Sequence, residues 1–200
     1  MLRGRRLLVE TALLLLTAVV LAVALRATVA EAFRIPSGSM EPQLHVGDRV
    51  VVSRTAYKLH EPNRGDIVVF DCPPLAGCEQ PPADEALPVL AVHTALEAVL
   101  LREPEPEEYI KRVIGLPGET VEGKDGSVWV DGRRLVEPYL PEGTVTSDFG
   151  PEEIKPDHLW VMGDNRGNSS DSRVFGQVEQ STVVGRALFR IWPPWRTAFL

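Results

Sequence analysis

The amino-acid sequence predicts a mainly β domain that follows one apolar segment near the N-terminus. Short valine-rich runs separated by glycine, proline and aspartate turns recur between residue 46 and residue 192. The 200 residues suit one globular domain with a short appendage. Apolar residues make up 44% and charged residues 24%, which excludes disordered, collagenous and fully membrane-embedded proteins. We therefore divide the chain into an appendage, residues 1–30, and a main domain, residues 31–200.

The appendage contains a candidate transmembrane helix. Residues 7–25 are apolar apart from Glu10, Thr11 and Thr17, and a helix of this length spans roughly 28 Å, about the thickness of the hydrocarbon core. Three arginines precede the segment and one follows it, so the positive-inside rule places the N-terminus in the cytoplasm and the main domain outside. The alternative is a cleavable signal peptide with an A-x-A site at residues 30–32, which would export the same domain.

The two parts of the chain carry net charges of opposite sign. Four arginines against one glutamate give residues 1–30 a net charge of +3, so the total of −7 leaves −10 for residues 31–200. A general nucleic-acid-binding domain needs a basic face. We therefore expect no nucleic-acid partner for the main domain.

Six runs along the main domain have the composition of short strands. They are rich in valine and other apolar residues, and Gly-Asp or Pro-Gly pairs adjoin several of them as turns. One run is a hairpin, because Asp131 and Gly132 divide it and an Asp-Gly pair suits a type I′ turn. In chain order the runs are residues 46–52, 66–70, 109–116, 128–136, 159–162 and 182–192.

A Pro- and Glu-rich insert at about residues 71–108 interrupts this pattern. Its apolar stretch, residues 87–101, is too short for a comfortable membrane span, so we expect a helix that packs on the domain, with a position on the membrane surface as the alternative. Cys72 and Cys78 lie in the same insert. In an oxidising compartment they are predicted to form a disulfide that closes a small loop, and two free thiols are the alternative.

Ser39 is the first candidate for chemistry. It lies in a turn, residues 36–40, where Gly38 lets the backbone bend sharply. A hydroxyl at such a turn can be a nucleophile, although ordinary Ser/Gly/Pro loops have the same composition. A serine nucleophile needs a base, and none of the four histidines lies in a recognisable triad context.

Lys111 is the candidate base. If residues 109–114 form a strand, Lys111 shares a face with Tyr109 and Val113, whereas Arg112 points to the other face. One of these two basic residues must then face inward or lie across a cleft. Burial would lower the pKa of a lysine, and its neutral amine could accept a proton. The alternative is a strand edge where both basic side chains are solvated through their stems.

A polar segment, residues 163–173, directly follows the predicted strand at residues 159–162. None of its eleven side chains is apolar, and a surface loop is the simple explanation. The segment is also dense in hydrogen-bonding groups. A hydroxyl there could orient a neutral lysine, and an Asp/Arg pair could brace the loop.

Together these segments closely resemble type I signal peptidases, the membrane-anchored Ser–Lys proteases. The resemblance rests on PSGSMEPQL, RGDIVVF, YIKRVIGLPGE and GDNRGNSSDSR, which occur in the order typical of the family. It implies a mostly antiparallel β domain with an apolar surface on the membrane, an uncleaved single-pass anchor in the cell membrane, and no metal or organic cofactor. The implied activity is a serine endopeptidase that removes signal peptides from secretory preproteins after A-x-A-type sites.

The resemblance also implies individual roles. Ser39 corresponds to the nucleophile, Lys111 to the general base, and Ser37 to a side-chain oxyanion donor that acts with the backbone N–H of Ser39. The residues that correspond to a hydroxyl orienting the lysine and to an Asp–Arg pair supporting the site are Ser169, Asp171 and Arg173. The residues that correspond to the pockets for the −1 and −3 residues of a signal peptide are Phe33, Ile35, Met40, Leu44, Tyr109 and Ile110.

Some alternatives stay open. A membrane-tethered β domain could bind exported proteins without cutting them, and a processing peptidase could be dedicated to one substrate. Gln43 stands where the family usually has threonine, which we expect to affect packing rather than chemistry. The aromatic segment at residues 192–195 is either an interfacial anchor or a cap on the domain.

Overall fold

The computed structural model describes Thr11, Leu14 and Thr17, residues 30–73 and residues 108–200. Thr11, Leu14 and Thr17 are helical and exposed; the rest of the predicted anchor, the interior of the insert and Cys78 lie outside the described residues. No helix within the described part is long and apolar enough to cross a membrane.

The described residues form a mainly β structure with a few short helices. In chain order the strands are β1 Ala30–Arg34, β2 Arg49–Ser53, β3 Ile67–Asp71, β4 Glu108–Gly115, β5 Thr120–Lys124, β6 Ser127–Val130, β7 Arg133–Arg134, β8 Phe149–Glu153, β9 His158–Met162, β10 Val178–Glu179, β11 Val183–Trp192 and β12 Ala198–Phe199. The helices are α1 Ala56–Leu59, α2 Ser172–Phe175 and 3-10 helices at Gly38–Met40, Gln180–Thr182 and Pro194–Arg196.

These strands form two sheets, and every pairing among the described strands is antiparallel. The larger sheet has the order β1-β2-β11-β3-β4-β9-β10, with β12 added on β11, and the smaller has the order β7-β6-β5-β8. The predicted fold class, a mainly β antiparallel domain, is confirmed.

The predicted runs are strands in the structure, with ends that differ by a few residues. The hairpin between β6 and β7 has the predicted turn, because Asp131 and Gly132 have φ angles of 49° and 71°. A second hairpin, β5–β6, turns in the same way at Asp125 and Gly126, with φ angles of 52° and 74°. The prediction did not include β1, β5, β8, β10 or β12. Strand β8 has four exposed residues out of five, so it carries no apolar pattern that a sequence could reveal.

Buried apolar side chains hold the two sheets and the turn at Gly38–Met40 in place. One cluster lies beneath that turn and contains Phe33, Ile35, Met40, Leu44, Val50, Val52, Ile67, Val69, Ile110 and Ala187. Another fills the space between the two sheets, with Ile114, Val121, Val128, Val130, Ile154, Trp160 and Met162. Each buried side chain of this size contributes about 1.5–3 kcal/mol relative to its exposed state, so the turn is anchored by its neighbours in the core.

Strand β4 is a central strand, and this decides the environment of its two basic residues. It pairs with β3 on one side and with β9 on the other. Lys111 is 3% exposed and Arg112 is 6% exposed. The alternative in which both side chains are solvated at a strand edge is therefore wrong.

Candidate active site

The structure brings Ser39 and Lys111 into direct contact, although 72 residues separate them in the chain. Ser39 lies in the 3-10 helix after β1, and Lys111 lies in the middle of β4. Lys111 Nζ is 2.9 Å from Ser39 Oγ. Both residues are buried, so the pair is shielded from most competing water.

Several local contacts place Ser39 at this point. The backbone N–H of Ile35 donates to the carbonyl oxygen of Asp48, and the N–H of Leu44 donates to that of Met40, at 2.8 Å each. Met40, the residue after Ser39, is fully buried in the cluster beneath the turn. The turn is thus held from below by an apolar side chain and from both ends by backbone hydrogen bonds.

Burial sets the protonation behaviour of Lys111. It lowers the pKa of the ammonium group to about 8, although the nearby carboxylates of Asp171 and Asp164 act in the opposite direction. The amine also hydrogen-bonds to the carbonyl oxygen of Ile110 at 2.9 Å and lies 5.1 Å from the ring centre of Tyr109. A neutral amine, which can accept a proton from Ser39, is therefore accessible at mildly alkaline pH.

The Ser39–Lys111 pair opens onto a cleft of about 380 Å³. Ser37 lies at the same place, with its Oγ 3.3 Å from Ser39 Oγ. The cleft is lined by Pro36, Ser37, Gly38, Ser39, Glu108, Tyr109, Ile110, Lys111, Asn168 and Ser170. The candidate nucleophile, the candidate base and the candidate oxyanion donor therefore face one open cleft.

The residues predicted to line substrate pockets fall into two groups. A small cavity shares a wall with the cleft and is lined by Phe33, Arg34, Ile35, Pro36, Val69, Glu108, Tyr109 and Ile110. Met40 and Leu44 differ from the prediction, because both are fully buried in the cluster beneath the turn and lie outside both linings. Their side chains support the turn from inside instead of forming its surface.

The predicted ion pair between Asp171 and Arg173 is present. Arg173 donates two parallel hydrogen bonds of 2.8 Å to the carboxylate of Asp171. The same carboxylate accepts from the backbone N–H of Gly163 at 3.0 Å and caps α2. The pair therefore closes the two ends of the loop at residues 163–173 on each other.

Ser169 is close to the site, but its predicted hydrogen bond to Lys111 is not formed. Its Oγ is buried and has no hydrogen-bond partner among the described residues. It packs on Gly163, where an added Cβ would lie 2.2 Å from Ser169 Oγ and 2.4 Å from the carbonyl oxygen of Ser39. The orienting role of Ser169 stays a prediction.

Comparison with known proteins gives the family. A family model described as "Signal peptidase, peptidase S26" matches residues 8–192. The chain belongs to this family. A probable signal peptidase I-2 of Synechocystis sp. is 39% identical over 186 residues, which are 93% of this chain and 74% of that protein. Signal peptidase I of Mycobacterium tuberculosis is 36% identical over 215 aligned positions, covering 94% of this chain and 73% of the relative.

A solved structure is also similar. It is a signal peptidase I from Enterococcus faecalis, 28% identical, with a TM-score of 0.41, and the match covers 62% of this chain and 95% of that one. Family membership and the named relatives identify the chain as a serine peptidase, a hydrolase of signal peptidase I type. The resemblance inferred from the four motifs is confirmed.

The sequence analysis did not predict two sets of contacts that hold the candidate active site in place. Arg112 donates two hydrogen bonds, of 2.8 and 2.7 Å, to the carboxylate of Asp164, and both side chains are buried. Asn165 donates from its backbone N–H to the carbonyl oxygen of Ser39 at 3.0 Å and from its side chain to that of Gly38 at 3.1 Å. The polarity of residues 163–173 indicated that this segment forms hydrogen bonds. It could not identify the partners, because Arg112 lies 52 residues from Asp164 and Gly38 lies more than 120 residues from Asn165.

A third missed contact ties the site to the small sheet. Arg166 is 4% exposed and donates to the carboxylate of Glu137, to Thr146 Oγ1 and to the carbonyl oxygen of Gly163. Glu137 follows the β6–β7 hairpin, 29 residues before Arg166. No local pattern links these residues, so the sequence alone does not predict the contact.

The remaining predictions concern cysteines and metals. Cys72 follows β3 and is disulfide-bonded; its predicted partner, Cys78, lies outside the described residues, so the pairing stays a prediction. In residues 30–73 and 108–200, no group of three or more His, Cys, Asp or Glu side chains is arranged to hold a metal ion.

Proposed function

We propose that this chain is a membrane-anchored endopeptidase that removes N-terminal signal peptides from secretory preproteins after A-x-A-type sites, with Ser39 as nucleophile and Lys111 as general base. The observation that supports the proposal most is the 2.9 Å contact between the two buried side chains at the floor of an open cleft. The names of the relatives support the substrate class.

The proposed chemistry uses four polar groups of three residues, Ser37, Ser39 and Lys111. The neutral amine of Lys111 takes the proton of Ser39 Oγ, which attacks the carbonyl carbon of the scissile bond. Ser37 Oγ and the backbone N–H of Ser39 stabilise the resulting oxyanion, and one such donor is typically worth about 3 kcal/mol. The C–N bond then breaks, and the leaving amine takes its proton from the Lys111 ammonium group. Water releases the acyl group with Lys111 again as base.

The A-x-A preference rests on the small cavity beside the cleft. Its walls include Phe33, Ile35, Val69 and Ile110, which are apolar and closely packed. A small apolar pocket admits a methyl group and excludes larger side chains by overlap. We therefore assign the residues that precede the cleavage site to this region of the surface.

The proposed location is the outer face of the cell membrane, with a single-pass anchor and a cytoplasmic N-terminus. The family match begins at residue 8, inside the apolar segment. Thirteen residues separate Arg26 from Ser39, so the nucleophile lies at most about 45 Å of extended chain from the membrane. In the aromatic segment at residues 192–195, Trp195 is 81% exposed and Trp192 is 47% exposed, which favours contact with membrane lipid over a capping role.

A cleavage assay tests the proposal. Detergent-solubilised wild type, Ser39→Ala and Lys111→Ala are given a secretory precursor with an A-x-A site, and the products are sized by mass spectrometry. We expect a cut after the last alanine by the wild type only, with folding retained in both variants. Ser181→Ala and Lys155→Ala are matched controls, because both residues are exposed and lie outside the cleft. Cleavage by either site variant would contradict the assigned role.

The same assay separates a general peptidase from a dedicated one. A panel of precursors with unrelated mature sequences is offered to the wild type. Cleavage of most members indicates a general signal peptidase, whereas cleavage of a single member indicates a dedicated processing enzyme.

A further inference from the structure

Asn165 donates hydrogen bonds to the backbone carbonyl oxygens of two successive residues, Gly38 and Ser39. Its backbone N–H donates to the carbonyl oxygen of Ser39 at 3.0 Å, and its side-chain amide donates to the carbonyl oxygen of Gly38 at 3.1 Å. The oxygen of Gly38 also accepts the N–H of Glu41 at 3.2 Å, the bond that closes the 3-10 turn. One residue from a distant loop thus contacts two successive peptide groups of the turn.

The bond to Gly38 has a consequence for the N–H of Ser39. The peptide group that joins Gly38 to Ser39 is planar, and its C=O and N–H point in opposite directions when it is trans, as here. A donor that fixes the carbonyl oxygen therefore fixes the direction of the N–H on the other side of the same plane. Hydrogen bonding at the oxygen also polarises the group and strengthens the N–H as a donor.

Asn165 is itself rigidly placed. The adjacent residue, Asp164, is 2% exposed and is held by the two hydrogen bonds from Arg112. On the other side, the N–H of Asn168 donates to the carbonyl oxygen of Asn165 at 3.0 Å. A catalytic donor is most effective when its direction is set before the reaction, and Asn165 has the fixed position that this requires.

We propose that Asn165 is a positioning residue for the oxyanion site. Its side-chain amide sets the direction of the Ser39 N–H, because it binds the carbonyl oxygen at the other side of the Gly38–Ser39 peptide plane. This inference rests on the proposed function of Ser39 as nucleophile. The two hydrogen bonds of Asn165 differ in this respect. The side-chain bond to Gly38 sets the direction of the N–H and is lost on substitution, whereas the backbone bond to Ser39 is retained in both Asn165 variants tested below.

The proposal predicts a specific kinetic pattern. The oxyanion exists only after attack, so a misdirected N–H lowers kcat and leaves KM unchanged. Removal of a whole donor costs about 100- to 1000-fold in kcat, so misdirection should cost about 10- to 100-fold. Neither hydrogen bond of the Lys111 amine involves Asn165, and the pH dependence should therefore keep its midpoint.

The experiment compares Asn165→Ala and Asn165→Asp with the wild type as full-length, detergent-solubilised proteins on one A-x-A precursor. Aspartate keeps the size of asparagine but places an acceptor against the oxygen of Gly38, so a packing role would spare this variant and a donor role would not. Asn63→Ala is the control, since the Asn63 amide also donates to a backbone carbonyl, but on the exposed surface. kcat, KM, the pH profile and Tm are measured, with assays well below the lowest Tm.

We expect kcat to fall in both Asn165 variants, with KM unchanged in both, the pH midpoint unchanged in Asn165→Ala, and all parameters unchanged in Asn63→Ala. The new carboxylate of Asn165→Asp can raise the pKa of Lys111, as Asp171 and Asp164 do, so the pH criterion applies to Asn165→Ala alone. The inference is overturned if either variant stays within about twofold of the wild type, if the loss falls on KM, or if the pH midpoint of Asn165→Ala moves. Failure of the proposed function has another signature: the wild type would not cut the precursor, or Ser39→Ala would cut it equally well.

Discussion

If Lys111 is the base, its burial predicts that the activity of this peptidase depends on pH. Its pKa is lowered to about 8, so the ammonium form dominates below that pH and the neutral amine above it. If the neutral amine is the base, kcat/KM should rise about tenfold per pH unit below pH 8 and level off above it. Initial rates on an A-x-A precursor between about pH 6 and pH 10 check this, with Tm as a control at each pH. A flat profile between pH 6 and pH 8 would exclude a neutral lysine as the base.

Gly163 leaves almost no space for a side chain beside Ser39. An added Cβ would lie 2.4 Å from the carbonyl oxygen of Ser39 and 2.2 Å from Ser169 Oγ. Gly163→Ala should therefore push the loop away from the turn, at a cost of about 1–3 kcal/mol in stability. We expect a loss of cleavage of at least about tenfold, because small displacements in a preorganised site are costly.

Gly167 provides the matched control for this prediction. It lies in the same loop, but a Cβ there would meet nothing within 4 Å. Gly167→Ala should keep both the unfolding midpoint and the cleavage rate of the wild type. Equal behaviour of the two alanine variants, in denaturant titration and in the precursor assay, would show that crowding at Gly163 has no role.

At the scale of elements, β4 connects the site to the core through its two faces. Lys111 extends from it to Ser39, whereas Arg112 binds Asp164 and the carbonyl oxygen of Gly65 and lies 3.9 Å from the ring of Tyr139. The pairing of β4 with β3 is in regular register over residues 108–112, and the register shift against β9 comes only after Val113, so residues 111 and 112 alternate between the two faces. Lys111, the proposed base, and Arg112, which braces the loop at residues 163–173, are therefore adjacent residues on opposite faces.

This arrangement predicts a large effect of Arg112→Met on stability. The substitution would leave the carboxylate of Asp164 buried without its cation, which typically costs about 3–5 kcal/mol. Arg54→Met is the control, because the Arg54–Glu31 pair is partly exposed and such pairs contribute about 1 kcal/mol or less. The measurement is the urea unfolding midpoint of each variant. A change below about 1 kcal/mol in Arg112→Met would mean that the loop rearranges to expose Asp164.

At the scale of the whole molecule, the proposed anchor determines where the protein acts. If residues 7–25 span the membrane and are retained, the full chain should resist extraction by alkaline carbonate and have the mass of the uncleaved sequence. Alkaline carbonate extraction of the membranes checks the first point, and mass spectrometry of the protein that stays in the membrane checks the second. A mass that lacks residues 1–32 would replace the anchor with a cleaved signal peptide.

Much of the larger sheet could be predicted from local sequence. Strands β3, β4, β9 and β11 are valine-rich or apolar runs. Both β5–β6 and β6–β7 turn at an Asp-Gly pair, and the second of these hairpins was predicted. Strands with a solvated face or of only two residues, such as β8 and β12, were missed because few of their side chains are buried. The site was predicted through its motifs, and the structure places Ser37, Ser39 and Lys111 at one cleft, whereas Met40 and Leu44 lie in the core.

By itself, the sequence determined the fold class, the family and the residues to be considered for catalysis. These properties depend on short-range rules: apolar periodicity, turn chemistry and runs of characteristic residues. Only the tertiary structure decided that Lys111 is buried and in contact with Ser39, and that Asn165 holds the turn. The reason is physical. Desolvation and hydrogen-bond direction depend on groups that are distant in the chain, and the strand order of the larger sheet brings them together.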